Sequence, residues 1–274
     1  YMYNMADMLH FLLRKKGVNV FVEKTEHPSM YELGSKVYLP SMSQYFEDCA
    51  KATGIITIST SLRQLFMENG VDAKRLSIVN MIADENRFIN ISPQKNGHPY
   101  FAYCGTISTY KDGVDILLKA FHTVIKRQSN VELRIAGTFA NEEDERTLRN
   151  LVTDLGISSN VLFIGIVSAR DMPSFLAGAE AVVLSRPNNI QAKNGFPGKL
   201  GEYLLSKSPA IVTAVGDIPL FVKDGINGLI IQKKNCASDF FENLQNQDTI
   251  EEIVINNRKL VVKRFKQNNY INAM

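Results

Sequence analysis

The chain has 274 residues, of which 45% are hydrophobic and 22% charged, with a formal net charge of +3. That is enough chain for two domains of ordinary size, and the balance excludes a disordered or fibrous protein. So small a positive excess leaves no strong nucleic-acid footprint; weak attraction to anionic substrates or a membrane surface is compatible with it, as is no special role. The three cysteines, Cys49, Cys104 and Cys236, are far apart and form no C-x-x-C pair. They read as reduced thiols in a cytosolic protein. No apolar run reaches the roughly 18 residues that span a bilayer. The chain opens on Tyr1 rather than Met and enters a helical pattern at once. We therefore expect the start of the first domain to be missing.

In chain order, Met5, Met8, Leu9, Leu12 and Leu13 recur at helical spacing and predict a helix over residues 1–16, closed by Gly17. Residues 18–22 alternate as a strand, followed by Glu26-His27-Pro28. A helix over 42–53, a strand over 54–58, a helix over 62–69 capped from Ser59-Thr60-Ser61, and a strand over 77–79 follow. This series is expected to end near residue 90. Residues 91–98 have the polar, Pro- and Gly-containing composition of a linker. A second series then reads as strands over 100–104, 131–136, 161–164, 181–184, 210–213 and 228–231. Helices are expected over 114–127, 142–155, 169–177, 199–207 and 217–223. Residues 99–247 form a second domain on this reading, and 248–274 a tail with a helix over 250–265. Strands alternating with helices predict α/β architecture with parallel sheets covered on both faces. Ligands bind such sheets beyond the carboxyl ends of the strands, so function is sought in those loops.

Three loops stand out. Cys104-Gly105-Thr106-Ile107-Ser108-Thr109-Tyr110-Lys111-Asp112-Gly113 links a strand to a helix. Gly105 permits close backbone approach, a helix start follows, and Lys111 adds a cation; together these suit a phosphate, as they also suit a structural turn. The pattern lacks the G-K-[ST] of a Walker loop. The second loop, Ser185 to Tyr203, is too long to be a plain connection and is read as structureless before its helix. Lys199 and Glu202 lie three apart there and share a helix face. Lysine in a first turn opposes the helix dipole unless an anion is present. A phosphate at Lys199 and a ribose at Glu202 would explain the pair; a Lys–Glu surface pair would do so equally. The third is His27 beside Glu26, which suits proton transfer or a hydroxyl contact, or a satisfied structural histidine. The acidic run Glu142-Glu143-Asp144-Glu145 opens a helix, where the dipole favours it, and is not read as a metal site.

Taken together, Tyr103-Cys104-Gly105-Thr106, Lys111-Asp112-Gly113, Leu184-Ser185-Arg186-Pro187-Asn188-Asn189, Gly195-Phe196-Pro197-Gly198-Lys199-Leu200-Gly201-Glu202-Tyr203 and Thr213-Ala214-Val215-Gly216-Asp217-Ile218-Pro219 resemble the retaining GT-B glycosyltransferases of family 4, also called glycosyltransferases group 1. Ile58-Ser59-Thr60-Ser61-Leu62 and Asp84-Glu85-Asn86-Arg87-Phe88 fit the first domain and the approach to its linker. The likeness is greatest to bacterial capsular or surface-polysaccharide enzymes. It implies two Rossmann-like, doubly wound domains, with the donor mostly on the second. By resemblance Lys111 and Lys199 contact the diphosphate, His27 reaches the active site, and Gly105, Thr106, Asn194, Gly195, Phe196, Pro197, Leu200 and Glu202 meet the donor. Thr106 stands where many relatives have arginine, and Asn194 where many have glutamate.

The resemblance implies transfer from a nucleoside-diphosphate sugar, expected to be a UDP-sugar, to a saccharide or lipid-linked acceptor. Neither metal nor cofactor is expected, and the setting is cytoplasmic, compatible with peripheral contact at the inner face of the membrane. A nucleotide-sugar epimerase of the same fold and a non-catalytic nucleotide-sugar-binding fragment remain the alternatives.

Overall fold

The computed structural model describes residues 15–30, 41–93 and 97–231. The expected helices over 1–16 and 250–265, and Cys236, lie outside these residues, apart from the last two positions of the first helix. The chain divides into two compact units. Among the described residues, one runs to Met81 and takes in Asn189–Phe196; the other holds Ile82–Asn188 and Pro197–Ile231. The division thus falls at Met81–Ile82, before the polar segment 91–98 that reads as a linker.

The first unit carries three parallel strands in the order β1-β2-β3: β1 Phe21–Lys24, β2 Gly54–Thr57 and β3 Leu76–Ile78. Strand β1 begins later than its alternation suggests because Val20 N–H donates to the Thr53 hydroxyl (2.9 Å) instead of to the ladder. Helix α1 (Met42–Cys49) is capped by Ser41, whose side chain accepts from Gln44 N–H. It buries Tyr45, Phe46 and Cys49, and the Tyr45 and Phe46 rings meet edge to face (5.3 Å). It stops short of residue 53, and the carbonyls of Ala50, Ala52 and Thr53 are taken by the Arg75 guanidinium. The guanidinium thereby satisfies carbonyls of the turn that follows the helix. Helix α2 (Thr60–Glu68) starts at the Ser59 cap and packs Phe66 on Phe46 (5.0 Å).

The second unit is a six-stranded sheet among the described residues. Its strands are β4 Tyr100–Cys104, β5 Glu132–Ala136, β6 Val161–Gly165, β7 Ala181–Leu184, β8 Ala210–Thr213 and β9 Leu229–Ile231. The order is β6-β5-β4-β7-β8-β9, and every pairing is parallel. This is the doubly wound arrangement, whose order reverses between β4 and β7. Central strands β4 and β7 are buried throughout, whereas edge strand β6 alternates, exposing Leu162 and Ile164. Helices cover both faces. Helix α3 (Thr109–Asp112) is separated from α4 (Val114–Ile125) by Gly113 in the left-handed region. Helix α5 (Glu142–Asp154) follows β5, and its Leu148 joins Leu118, Leu133 and Ile135 in the core. Helix α6 (Met172–Ala177) stacks Phe175 on Tyr100 (5.7 Å), and the Tyr100 hydroxyl donates to the Phe175 carbonyl (2.6 Å).

The stretch between β7 and the next helix is not structureless, as its composition suggests. Residues Ile190–Asn194 form helix α7, capped by Asn189 Oδ1 accepting from Ala192 N–H (2.8 Å). Helix α8 is Leu200–Leu205, shorter than the expected 199–207. Ser206 Oγ takes the Tyr203 carbonyl (2.7 Å), and Lys207 has φ of 67°. Helix α9 is Ile218–Phe221.

At the ends of β4 and β5, Gly105 and Gly137 have φ of 139° and 135°. A Cβ on Gly137 would overlap the Gly105 carbonyl oxygen. The carboxyl end of the sheet thus depends on a glycine-only contact. Replacing Gly137 by Ala should lower the stability of the protein by about 2–4 kcal/mol. Urea denaturation checks this, and a loss within experimental error would contradict the contact.

Candidate functional site

The point where the strand order reverses lies at the carboxyl ends of β4 and β7, where Gly105 and Ser185 follow. The loops after these strands and the start of α8 build the site there. Tyr203, on α8, has its hydroxyl buried against the last residue of β4, accepting from Cys104 N–H (2.8 Å). That anchor brings Lys199, the residue preceding α8, to the turn at Gly105. A Cβ on Gly105 would strike the Lys199 ammonium, so the missing side chain is what makes room for it.

Lys199 Nζ then meets two partners. It donates to the Asp112 carboxylate (2.7 Å) and to the Tyr103 hydroxyl (2.9 Å). The Tyr103 proton is shared between the Thr106 carbonyl (2.6 Å) and Asp112 (2.9 Å). Arg186, 3% exposed, sets its guanidinium 3.8 Å from the other Asp112 oxygen. Asp112 itself is 4% exposed. Burial by itself would raise its carboxyl, but Lys199 and then Arg186 more than offset this and hold it below its ordinary range. Burial pulls Lys199 down, against the opposing pull of Asp112. Burial also pushes the Cys104 thiol up to about 11 despite Lys199 nearby, so Cys104 is no nucleophile at neutral pH.

Asp112 is held from both sides. The Ser185 hydroxyl lies 3.1 Å from the Asp112 carbonyl and 2.9 Å from that of Gly113. A Cβ on Gly113 would overlap the Ser185 carbonyl, and its φ of 63° favours glycine independently. At the other end of α3, Asp144 accepts from the Thr109 N–H (2.9 Å) and hydroxyl (2.7 Å). One member of the acidic run thus does more than complement a dipole: Asp144 is buried and fixes the turn that carries Lys111 and Asp112. Among the described residues, no group of three or more His, Cys, Asp or Glu could hold a metal ion.

The remaining predicted residues fall as follows. Lys111 adjoins Asp112 in α3, half-buried, its N–H bonded to Ser108 Oγ (3.1 Å). Thr106 is exposed; Pro197 and Leu200 are buried in the same unit. Glu202 is ion-paired with Arg87, whose guanidinium also donates to the Ala169 carbonyl (2.8 Å). Lys199 and Glu202 therefore do not pair with one another, as the surface-pair reading would have it. Each has its own partner from elsewhere in the unit.

Asn194, Gly195 and Phe196 are buried and group with the first unit. Helix α7 is tied to the start of α2 by Ser59 Oγ, which bonds the Asn194 carbonyl, and by Ser61 Oγ, 3.2 Å from Asn194 Oδ1. Asn194 Nδ2 donates back to the Ile190 carbonyl (2.8 Å). His27 is also in the first unit and 8% exposed. Its Nδ1 accepts from Ser29 N–H (3.2 Å) and sits 2.8 Å from Ser29 Oγ. That assignment puts the proton of the neutral ring on Nε2.

A family model described as Glycosyl transferases group 1 matches residues 98–246. The chain belongs to the glycosyl transferases group 1 family. Among similar proteins, an uncharacterized glycosyltransferase of Methanocaldococcus jannaschii is 27% identical over 157 residues, 55% of this chain and 37% of that protein. A D-inositol 3-phosphate glycosyltransferase of Corynebacterium aurimucosum is 25% identical over 152 residues, 54% of this chain and 35% of that protein. The matched segments thus span little more than a third of the length of these relatives. Among solved structures, Anabaena HepE in complex with UDP and glucose superposes with a TM-score of 0.79 at 17% identity, over 98% of this chain and 73% of that one. That likeness shows the fold: α/β with parallel sheets, as in the GT-B glycosyltransferases.

Burial lowers the His27 ring below its ordinary value. The unfolded chain therefore binds its proton more readily than the folded one. The stability this contributes is complete above the unfolded pKa of about 6.5 and declines as pH falls below it. Urea denaturation of His27→Gln should show a shallower loss of stability between pH 7 and 5 than the parent. Identical pH slopes would contradict the placement.

Proposed function

We propose that this glycosyltransferase-family chain is the donor-binding part of a retaining, family 4 enzyme. It would transfer a sugar from a UDP-sugar to a saccharide or lipid-linked acceptor, with surface polysaccharide as the product class. The observation that carries the reading is the Lys199 ammonium, placed against the bare backbone of Gly105 at the reversal point of the sheet. Departure of a nucleoside diphosphate leaves negative charge on phosphate oxygens. A preorganised cation in a water-poor setting stabilises that charge far more than it would in water. Lys111, on the turn that also supplies Asp112, is the second cation in this proposal.

Glu202 accepts the ribose hydroxyls in this reading, with Arg87 fixing its carboxylate. The family supports nucleotide-sugar chemistry, and HepE, solved with UDP and glucose, supports UDP as the carrier. Thr106 and Asn194 are the uncharged positions, so the charge work falls on the lysines, and no metal is required. We place the enzyme in the cytoplasm, with an acceptor that can be membrane-borne; no helix among the described residues is long and apolar enough to cross a membrane.

The test is turnover of a panel of UDP-, GDP- and ADP-sugars by the intact protein, first ranked by thermal shift. UDP-sugars should stabilise most. Lys199→Ala should lower kcat by about a hundredfold or more, the scale of a lost transition-state contact. Glu202→Ala should act mainly on KM, by about tenfold. Turnover should survive excess EDTA. Unchanged kinetics in both variants would remove the assigned site, and interconversion of the sugar without acceptor would favour an epimerase.

A further inference from the structure

A buried carboxylate is an odd neighbour for a cation meant for phosphate. Asp112 competes with any anion for Lys199, and its own desolvation is costly. The site nevertheless goes to some length to keep it. Gly113 is confined by the Ser185 carbonyl, Ser185 Oγ bonds the Asp112 turn, Tyr103 donates to the carboxylate, and Asp144 pins the start of α3. The groups facing Lys199 Nζ come from three elements. Tyr103 and Cys104 lie on β4, Asp112 on α3 and Arg186 after β7; Glu202, on the lysine's own segment, is engaged with Arg87. Of these, Asp112 is the anion in contact, at 2.7 Å.

We propose that Asp112 is the positioning residue for Lys199: its carboxylate keeps the ammonium protonated and directed to the Gly105 turn, so that the cation is in place before a diphosphate arrives. A lysine this largely enclosed, its side chain 13% exposed, gives up its proton more easily unless an opposite charge lies within a few ångströms. Arg186 adds to that tendency, since it repels the ammonium. Without Asp112, Lys199 would be neutral or would swing out to solvent, and either way the empty site would lack its charge. The inference rests on the reading of Lys199 as a diphosphate contact, yet the Asp112–Lys199 coupling can be measured without any donor.

The experiment follows the Lys199 Nζ resonance by lysine-detected 15N NMR in the intact protein, assigned with Lys199→Arg, against pH. Asp112→Asn should titrate on the order of one pH unit or more below the parent, with Asp112→Glu between them. In parallel, UDP affinity in Asp112→Asn should fall about tenfold from pH 6.5 to 9, while the parent changes by less than about twofold. A Lys199 that titrates alike in the parent and in Asp112→Asn overturns the proposal. Should Asp112→Asn fail to fold, the parent alone decides. Its Nζ shift must move in step with the Asp112 carboxyl 13C as acid protonates the carboxylate, and an Nζ that ignores that titration overturns the proposal. A parent that never binds UDP sinks the functional reading while leaving the amine titration as the test of Asp112.

Discussion

The candidate site of the second unit depends on one contact, the ion pair of partly buried Lys199 with buried Asp112. A lysine this enclosed is costly to desolvate, and a carboxylate likewise; together, with a tyrosine hydroxyl completing the hydrogen bonds, they are tolerable. Most of the local sequence serves that arrangement. Gly105 leaves space for the ammonium, Gly113 lets α3 end against the loop after β7, and Tyr203 fastens α8 to the last residue of β4. Breaking the pair from either side leaves a charge stranded, so these positions are bound to one another more tightly than their chain separation implies.

The same contact ties fold to function. In a doubly wound sheet the loops on either side of the reversal diverge and leave a crevice. Here the residues flanking it come from the ends of β4 and β7 and from the start of α8. The strands contribute rigidity; the chemistry sits on short turns whose geometry glycine and serine enforce. Fold likeness alone would not distinguish one use of this crevice from another. The proposal of a phosphorylated leaving group rests on the cationic lysine, the glycine beside it and the family membership together.

Much of the architecture was legible because central strands and amphipathic helices carry strong patterns. Strands over 100–104, 181–184 and 210–213 coincide with β4, β7 and β8, which are buried throughout apart from the half-buried Thr213 at the end of β8. Ends decided by side chains were not legible. The Arg75 guanidinium, 25 residues from Ala50, takes the carbonyls just beyond α1, and Ser206 closes α8 against Tyr203. Helix α7 was hidden because five residues rich in amides give no periodicity; the Asn189 cap was its only signal. The lysines of the candidate site stood out as charges in loops at strand ends. Their partners did not: Asp112 and Lys199 are 87 residues apart, and Arg87 and Glu202 are 115 apart. A lysine in a first turn did imply a nearby anion, and within the protein that anion is Asp112, a residue whose own position in Lys111-Asp112-Gly113 looked like ordinary turn chemistry.

The proposed function stands on a diphosphate held at Gly105 by Lys199. A crystal structure of the intact protein grown with UDP tests it most directly. We expect phosphate density beside the Gly105 turn, within hydrogen-bonding distance of Lys199 Nζ, with the Asp112–Lys199 contact retained. UDP bound elsewhere on the protein, or a diphosphate that leaves Lys199 Nζ untouched, would contradict it.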